Sequence, residues 1–448
     1  MILSFLSFPP RSKSSVLRFE WLDGEGIRGL ELAATFARLE IWIDGLCATR
    51  VHDRRARTVR DAIFVPLHPI AEWVAEHYWR LLAEPANRAR SPGFDTAHDL
   101  ASADRGYALP RLQIHPEGRH ARIVVLPRCS PHFPVDLIAE GERWIATDAL
   151  RHALWDLMLA VDGRLAGLGD ATNRLQHLVA RRRDEEADPE MAEFCRLAAA
   201  LGFDPDTVPD QVADSIEQAG KRLPIETLED VCASIEPSTL RGGTAWVETT
   251  RQRLERIEPE SPDAARRFAE ELVAAARDAG RQRAGPPWRW GYAIANRVGE
   301  LVGATDPEGS SLERLLAGLG IADRVAEVER IDGIAALTLA GKSGTPRLAV
   351  TPRTEPGRRF AIARGLFDFI VTGAPVPRLA TRALDERQRA GRAFAAQLLA
   401  PAEAIAPKLP ADRLLQAEDL EELAAAFRVS TEVIRHQVEN HGLARIAG

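Results

Sequence analysis

Two apolar stripes at helical spacing, joined by a proline-broken link, constrain this chain more than any other stretch. From Arg358 to Pro401 the sequence runs RRFAIARGLFDFIVTG, then the link, then LDERQRAGRAFAAQLLAP. Phe360, Ala363, Phe367 and Ile370 recur at helical spacing, as do Ala390, Phe394, Leu398 and Leu399. That period puts each set on one face of a helix. Pro401 ends the second helix because proline cannot donate to the helical ladder.

The pair resembles the ImmA/IrrE family of zinc peptidases. There the first helix carries RF-x-x-AHE-x-x-H and the second E-x-x-AN-x-FA-x-x-LL-x-P. Arg359, Phe360 and Ala363 fit the first frame, and Phe394, Ala395, Leu398, Leu399 and Pro401 fit the second. The chemistry departs from it. The first zinc histidine falls on Arg364, the general-base glutamate on Gly365, the second histidine on Asp368 and the third ligand on Gln388. A catalytic zinc needs three N, O or S donors and one open position. Arginine has no lone pair to give, and glycine takes no proton from water. A salt bridge between Arg364 and Asp368, one helical turn apart, is the simple use of the two charges. The resemblance thus implies a zincin-like scaffold with no zinc, no other cofactor and no catalytic residues, a pseudo-peptidase. Binding of another protein, such as a regulator, an antitoxin or the product of a neighbouring gene, is the expected function. The implied setting is stress response, toxin–antitoxin control or defence against mobile elements. Two other readings stay open: a hydrolase with a site rebuilt from Asp368, Asp385, Glu386 or distant residues, and a DNA-binding transcriptional regulator.

The order of elements before this pair extends the resemblance. Helices are expected from Ser261 to Gln282, from Trp290 to Val302 and over SSLERLLAGLGI. Ser261 followed by Pro262 and Asp263 marks a helix start. Three strands follow, VAEVERI, GIAALTLAG and PRLAVTP, with Lys342-Ser-Gly-Thr read as a plain turn. The end, LEELAAAFRVSTEVIRHQVENHGL, resembles a helix-turn-helix. Arg435 and His436 are offset there by Glu432 and Glu439, so packing rather than reading of DNA is expected.

The first half has no counterpart in that family. LRFEWLD and LEIWIDG alternate apolar and polar residues as half-buried strands do. PIAEWVAEHYWRLLAEP reads as a helix, with His77 a core residue, and ALPRLQIHPEGRHARIVVLPR as a hairpin about Pro-Glu-Gly. His115 and His120, on opposite arms of that hairpin, could pair across it, but no third donor accompanies them. The loose set Asp95, His98 and Asp99 has no recognised metal spacing. Arg50, Arg54, Arg55, Arg57 and Arg60 form the densest basic run, a possible partner-binding surface diluted by Asp53 and Asp61. The fold expected is α+β in three parts. Residues 1–143 form a β-rich domain and 144–241 a helical linker domain. Residues 242–448 form the ImmA/IrrE-like domain of helices plus a small three-stranded sheet.

A net charge of −7 argues against a general nucleic-acid binder. The cysteines Cys47, Cys129, Cys195 and Cys232 form no C-x-x-C pair, which suits a reduced cytoplasm. MILSFLSFPP is too short for a secretory core, and no run is long enough to span a membrane.

Overall fold

The computed structural model describes residues 16–86, 93–168, 174–256, 263–280, 286–303, 311–351, 354–411 and 413–447. The opening MILSFLSFPP and the Ser261-Pro262 helix start lie outside these. The fold is mixed α and β with small sheets. It forms two compact units that meet in sequence between Thr207 and Val208. Among the described residues no helix is long and apolar enough to cross a membrane.

The first unit contains strands β1 (Leu17–Trp21), β2 (Phe36–Ile43), β3 (Leu46–Cys47), β4 (Val51–Asp53), β5 (Thr58–Arg60) and β6 (Ile63–Pro66), with the short helix α1 (Leu30–Ala34). Then come α2 (His68–Ala83), α3 (Phe94–His98), β7 (Arg111–Pro116), β8 (His120–Leu126), β9 (Val135–Leu137) and β10 (Gly141–Ala146). The helices α4 (Thr147–Ala166), α5 (Arg174–Ala187) and α6 (Pro189–Ala200) complete it. β2 is the centre of a four-stranded sheet, paired antiparallel with β1, β3 and β6. β8 lies between β7 and β10, and β4 between β5 and β9. Along β2 every second residue is buried, so Ala37, Leu39, Ile41 and Ile43 enter the core, as the alternation predicts. Leu150, Leu154, Leu157, Met158 and Val161 of α4 join the same core.

The second unit opens with α7 (Asp210–Gly220), α8 (Ile225–Cys232), α9 (Leu240–Arg256), α10 (Asp263–Gly280), α11 (Pro287–Leu301) and α12 (Ser311–Gly318). Strands β11 (Ala326–Glu327), β12 (Ile334–Ala340) and β13 (Pro346–Val350) lead to helix α13 (Glu355–Thr372). Strand β14 (Arg378–Thr381) follows, then α14 (Glu386–Leu399) and α15 (Ala402–Ile405). The chain finishes through β15 (Leu414–Leu415), α16 (Ala417–Phe427), α17 (Thr431–His441) and β16 (Arg445–Ile446). The sheet runs β11-β13-β12-β14, so it has four strands where the sequence suggests three. The fourth, Arg378–Thr381, comes from the proline-broken link between the two motif helices. Its four residues follow Pro375 and Pro377, too short and too flanked by breakers to show a period of two.

The helical stretch 144–241, expected as a part of its own, is divided between the units. The reason is burial: α4 shares a core with the first unit's sheets, whereas α8 packs against β14. In the tail, Val433, Ile434, Gln437 and Val438 of α17 are buried. Arg428 takes the left-handed conformation at the turn and pairs with Glu313 of α12 at 2.6 Å. Arg359 of α13 pairs with the same carboxylate.

Candidate functional site

Gly365 sits in the middle of α13, where the sheet comes closest. A Cβ there would lie 2.7 Å from Leu348 Cδ2 on β13 and 2.7 Å from Thr338 Oγ1 on β12. Thr338 Oγ1 also donates to the Gly365 carbonyl at 3.1 Å. The helix backbone therefore rests directly on the sheet, and glycine is what permits the approach. A longer side chain at this position has no space to enter.

One turn of chemistry surrounds it. Strand β14 is an edge strand, and its outward backbone groups at Leu379 and Thr381 are met by side chains rather than by another strand. Gln388 of α14 takes the Thr381 N–H on Oε1 at 2.8 Å and donates from Nε2 to the Leu379 carbonyl at 2.6 Å. One residue of a parallel neighbour would bond the strand in this same pattern. Asp230 of α8 accepts the Leu379 N–H at 3.1 Å. Arg364 donates to the Thr381 carbonyl at 2.6 Å and to Gln388 Oε1. Arg392 reaches the same carbonyl at 3.3 Å. Asp385 caps α14 by accepting the Gln388 N–H at 2.9 Å, which holds the glutamine in place.

The remaining charges close on one another. Arg387 of α14 donates to Asp368 of α13 through one terminal nitrogen and to Asp230 through the other. Arg364 and Asp368 therefore do not form the i,i+4 bridge that their spacing suggests. Each has a better partner across the helix pair: a carbonyl edge for the arginine, a two-pronged guanidinium for the carboxylate. Asp230, Arg364, Asp368 and Gln388 are all buried. Burial pushes the Asp230 carboxyl up to about 7, against the opposing pull of Arg387. Burial likewise raises Asp368, again opposed by Arg387. It lowers Arg364 to about 9, helped by the neighbouring charge of Arg392. Burial also works against the charge on Arg387, but Asp230 and Asp368 hold it above its ordinary value.

Of the four motif positions, Arg364 and Gln388 meet directly, Asp368 is tied to α14 through Arg387, and Gly365 faces the sheet. The carboxylate that meets Asp368 across Arg387 is Asp230, not Glu386, which stands in the first turn of α14. Sequence reasoning missed Asp230 and Arg387. Asp230 lies far away in the chain, and only its place on a short amphipathic helix hints at burial. Among the described residues no group of three or more His, Cys, Asp or Glu is placed to hold a metal ion.

The first unit's candidates resolve differently. The arginine run is a hairpin whose turn is built by Asp53, which accepts the N–H groups of Arg55 and Ala56, each at 3.0 Å. Arg60 pairs with Asp53 at 2.6 Å, Arg50 with Asp61 at 3.7 Å and Arg54 with Asp136 at 3.3 Å. Arg54 also donates to the Phe133 carbonyl at 2.6 Å. Arg55 and Arg57 are exposed at the tip and make no ion pair with a described residue. In the register His115 stands opposite Arg122, not opposite His120. It is buried and stacks on Phe94. His98 is buried as well, its ring nitrogens 3.0 Å from Glu84 Oε2 and 2.7 Å from the Ile114 carbonyl. His77 contacts Asp204 at 3.0 Å, and Arg80 binds Glu84 at 2.6 Å. These groups tie α2 to α3 and β7, a cluster that local sequence spacing does not reveal.

No protein-family model, curated protein or solved structure matches this chain.

Proposed function

We propose that the C-terminal unit is a zincin-like scaffold of the ImmA/IrrE type without peptidase chemistry, and that the protein is a regulator that binds another protein without cleaving it. The observation that carries this reading is the sealed edge of β14. Each residue standing where the resemblance places metal chemistry has a structural task. Gly365 lets α13 touch the sheet, Arg364 and Gln388 satisfy Thr381 and Leu379, and Asp368 binds Arg387. A water molecule activated for hydrolysis needs a base and an open position beside it. Here the polar groups face each other and the backbone.

The exposed pair Arg55 and Arg57 is the part of the basic run left to meet an acidic partner surface. The tail reads as packing rather than DNA recognition. Its outer Arg435 and His436 side chains lie 3.9 and 3.0 Å from Glu432 of the same helix. The described cysteines form no disulfide, which suits a cytoplasmic protein.

The test joins three measurements on the full chain isolated from its native host: metal content, the proteins retained with it, and their integrity. A stoichiometric complex with an uncut protein, at zinc well below one per chain, is expected. Stoichiometric zinc together with metal-dependent cleavage of the bound protein overturns the reading.

A further inference from the structure

The first unit holds a void lined only by apolar side chains. It measures about 50 Å³ and lies among the β1-β2-β6 sheet, β7, β8 and the inner faces of α2 and α4. Leu39, Ile41, Trp73, Ile114 and Leu154 are among its walls. Well-packed cores contain few spaces larger than a water molecule. An apolar one of this kind stays dry, because a water there finds no hydrogen-bond partner.

A second space adjoins it. A cleft of about 280 Å³ runs between β1 and α4, with Phe19, Ala149, His152 and Asp156 on its sides. The two spaces share Val16, Leu17, Ala153 and Leu157. Edge strand β1 closes the core incompletely: Leu17 and Phe19 are only half-buried despite facing an apolar wall. Ala153 of α4 is the smallest side chain on the shared wall. The polar groups stand at the outer end, where His152 and Asp156 are exposed one turn apart on α4.

The geometry points to a binding site for a single-chain alkyl amphiphile, its hydrocarbon passing between β1 and α4 into the void and its polar head left in water beside His152 and Asp156. The void's apolar lining rewards burial of methylene groups and offers nothing to a polar ligand, whereas the outer cleft presents polar and apolar surface in similar measure. The combined space accommodates on the order of ten methylenes, taking each near the ~30 Å³ share of a water molecule. This site is in the first unit and is independent of the reading of the β14 edge.

Trp73 supplies the probe, since its ring lines the void. Titrating the full chain with 11-bromoundecanoic acid is expected to give saturable quenching of tryptophan fluorescence, most of it lost in Trp73→Phe. Ala153→Phe fills the shared wall and is expected to weaken binding at least ten-fold. Ala149→Trp, at the exposed rim, narrows the cleft without touching the core, and is the second variant should the first unfold. Its expected effect is a several-fold weaker affinity at an unchanged melting temperature. Absence of saturable quenching overturns the proposal. So does quenching of equal affinity in folded Ala153→Phe and Ala149→Trp.

Discussion

Replacing Arg387 by leucine tests the architecture of the candidate site most directly. One guanidinium bridges two buried carboxylates, Asp230 and Asp368, which are 8% and 3% exposed. Breaking a buried ion pair by removing one partner costs about 3–5 kcal/mol, because the other charge is left without compensation. Leucine also removes the donors that Arg387 directs at the Leu379 carbonyl, although Gln388 still holds that oxygen. A loss of about 3–5 kcal/mol at pH 8 is therefore expected from the pair term alone. The stranded carboxylates can recover by taking up protons, so the loss should shrink by more than half at pH 5. Urea unfolding followed through deuterium uptake of the 378–381 segment reports on this unit alone. Lysine at the same position supplies a point charge but no fork, and should fall between leucine and the native residue. A loss below about 1 kcal/mol at pH 8 would refute the idea that this arginine bridges the two carboxylates. An equal loss at both pH values would refute the protonation argument.

Three further outcomes follow from the same contacts. Burial holds Asp230 at about 7 against an ordinary 3.8, so the folded state binds its proton more tightly than the unfolded state. Its contribution to stability is present below pH 4 and lost as the pH rises through 7. Asp230→Asn should thus gain on the native protein by on the order of 2 kcal/mol between pH 5 and 8, read from paired denaturation curves, and a constant difference would exclude the effect. Gly365→Ala gains about 1 kcal/mol in helix propensity but forces a methyl to 2.7 Å from Leu348 and Thr338, an overpacking cost of about 1–3 kcal/mol. A melting temperature lowered by a few degrees is expected, with Gly365→Glu far worse; a rise in Gly365→Ala would mean that the sheet yields. In the first unit, Val74→Ile adds a methyl to the wall of the 50 Å³ void. At about 24 cal/mol per Å³ of cavity, filling it stabilises by at most about 1 kcal/mol, and calorimetry showing a loss would mean that the void is not free space.

The helices were legible because their apolar stripes are local. α13 and α14 follow from Phe360 to Ile370 and from Ala390 to Leu399, and β2 from strict alternation. Gly365 was legible as a residue but not as a contact: only the sheet beneath it explains why a helix interior tolerates glycine. β14 was hidden, since a four-residue strand between breakers carries no period. Asp230 was hidden for a different reason. Its link to Arg387 spans 157 positions, and an acidic residue on a short helix reads as a solvated charge until another element covers it. The Arg364–Asp368 bridge failed because helical spacing states which residues can meet, not which partners tertiary structure offers instead.

The sealed edge has a physical logic of its own. An edge strand in a buried setting must satisfy its outward N–H and C=O groups, since each one left unpaired costs free energy comparable to a lost hydrogen bond. Another strand can do this, but so can side chains on a neighbouring helix. Here Gln388 supplies a peptide-like amide, and Asp230, Arg364 and Arg392 supply the rest. The arrangement is self-consistent only as a set. The amide fixes the distance of α14 from β14, Gly365 fixes that of α13 from the sheet, and Arg387 balances the two acids that result. Changing a single member toward a metal-binding residue therefore leaves a backbone group or a charge without its partner. A working metal site on this frame would require the edge of β14 to find a new neighbour at the same time.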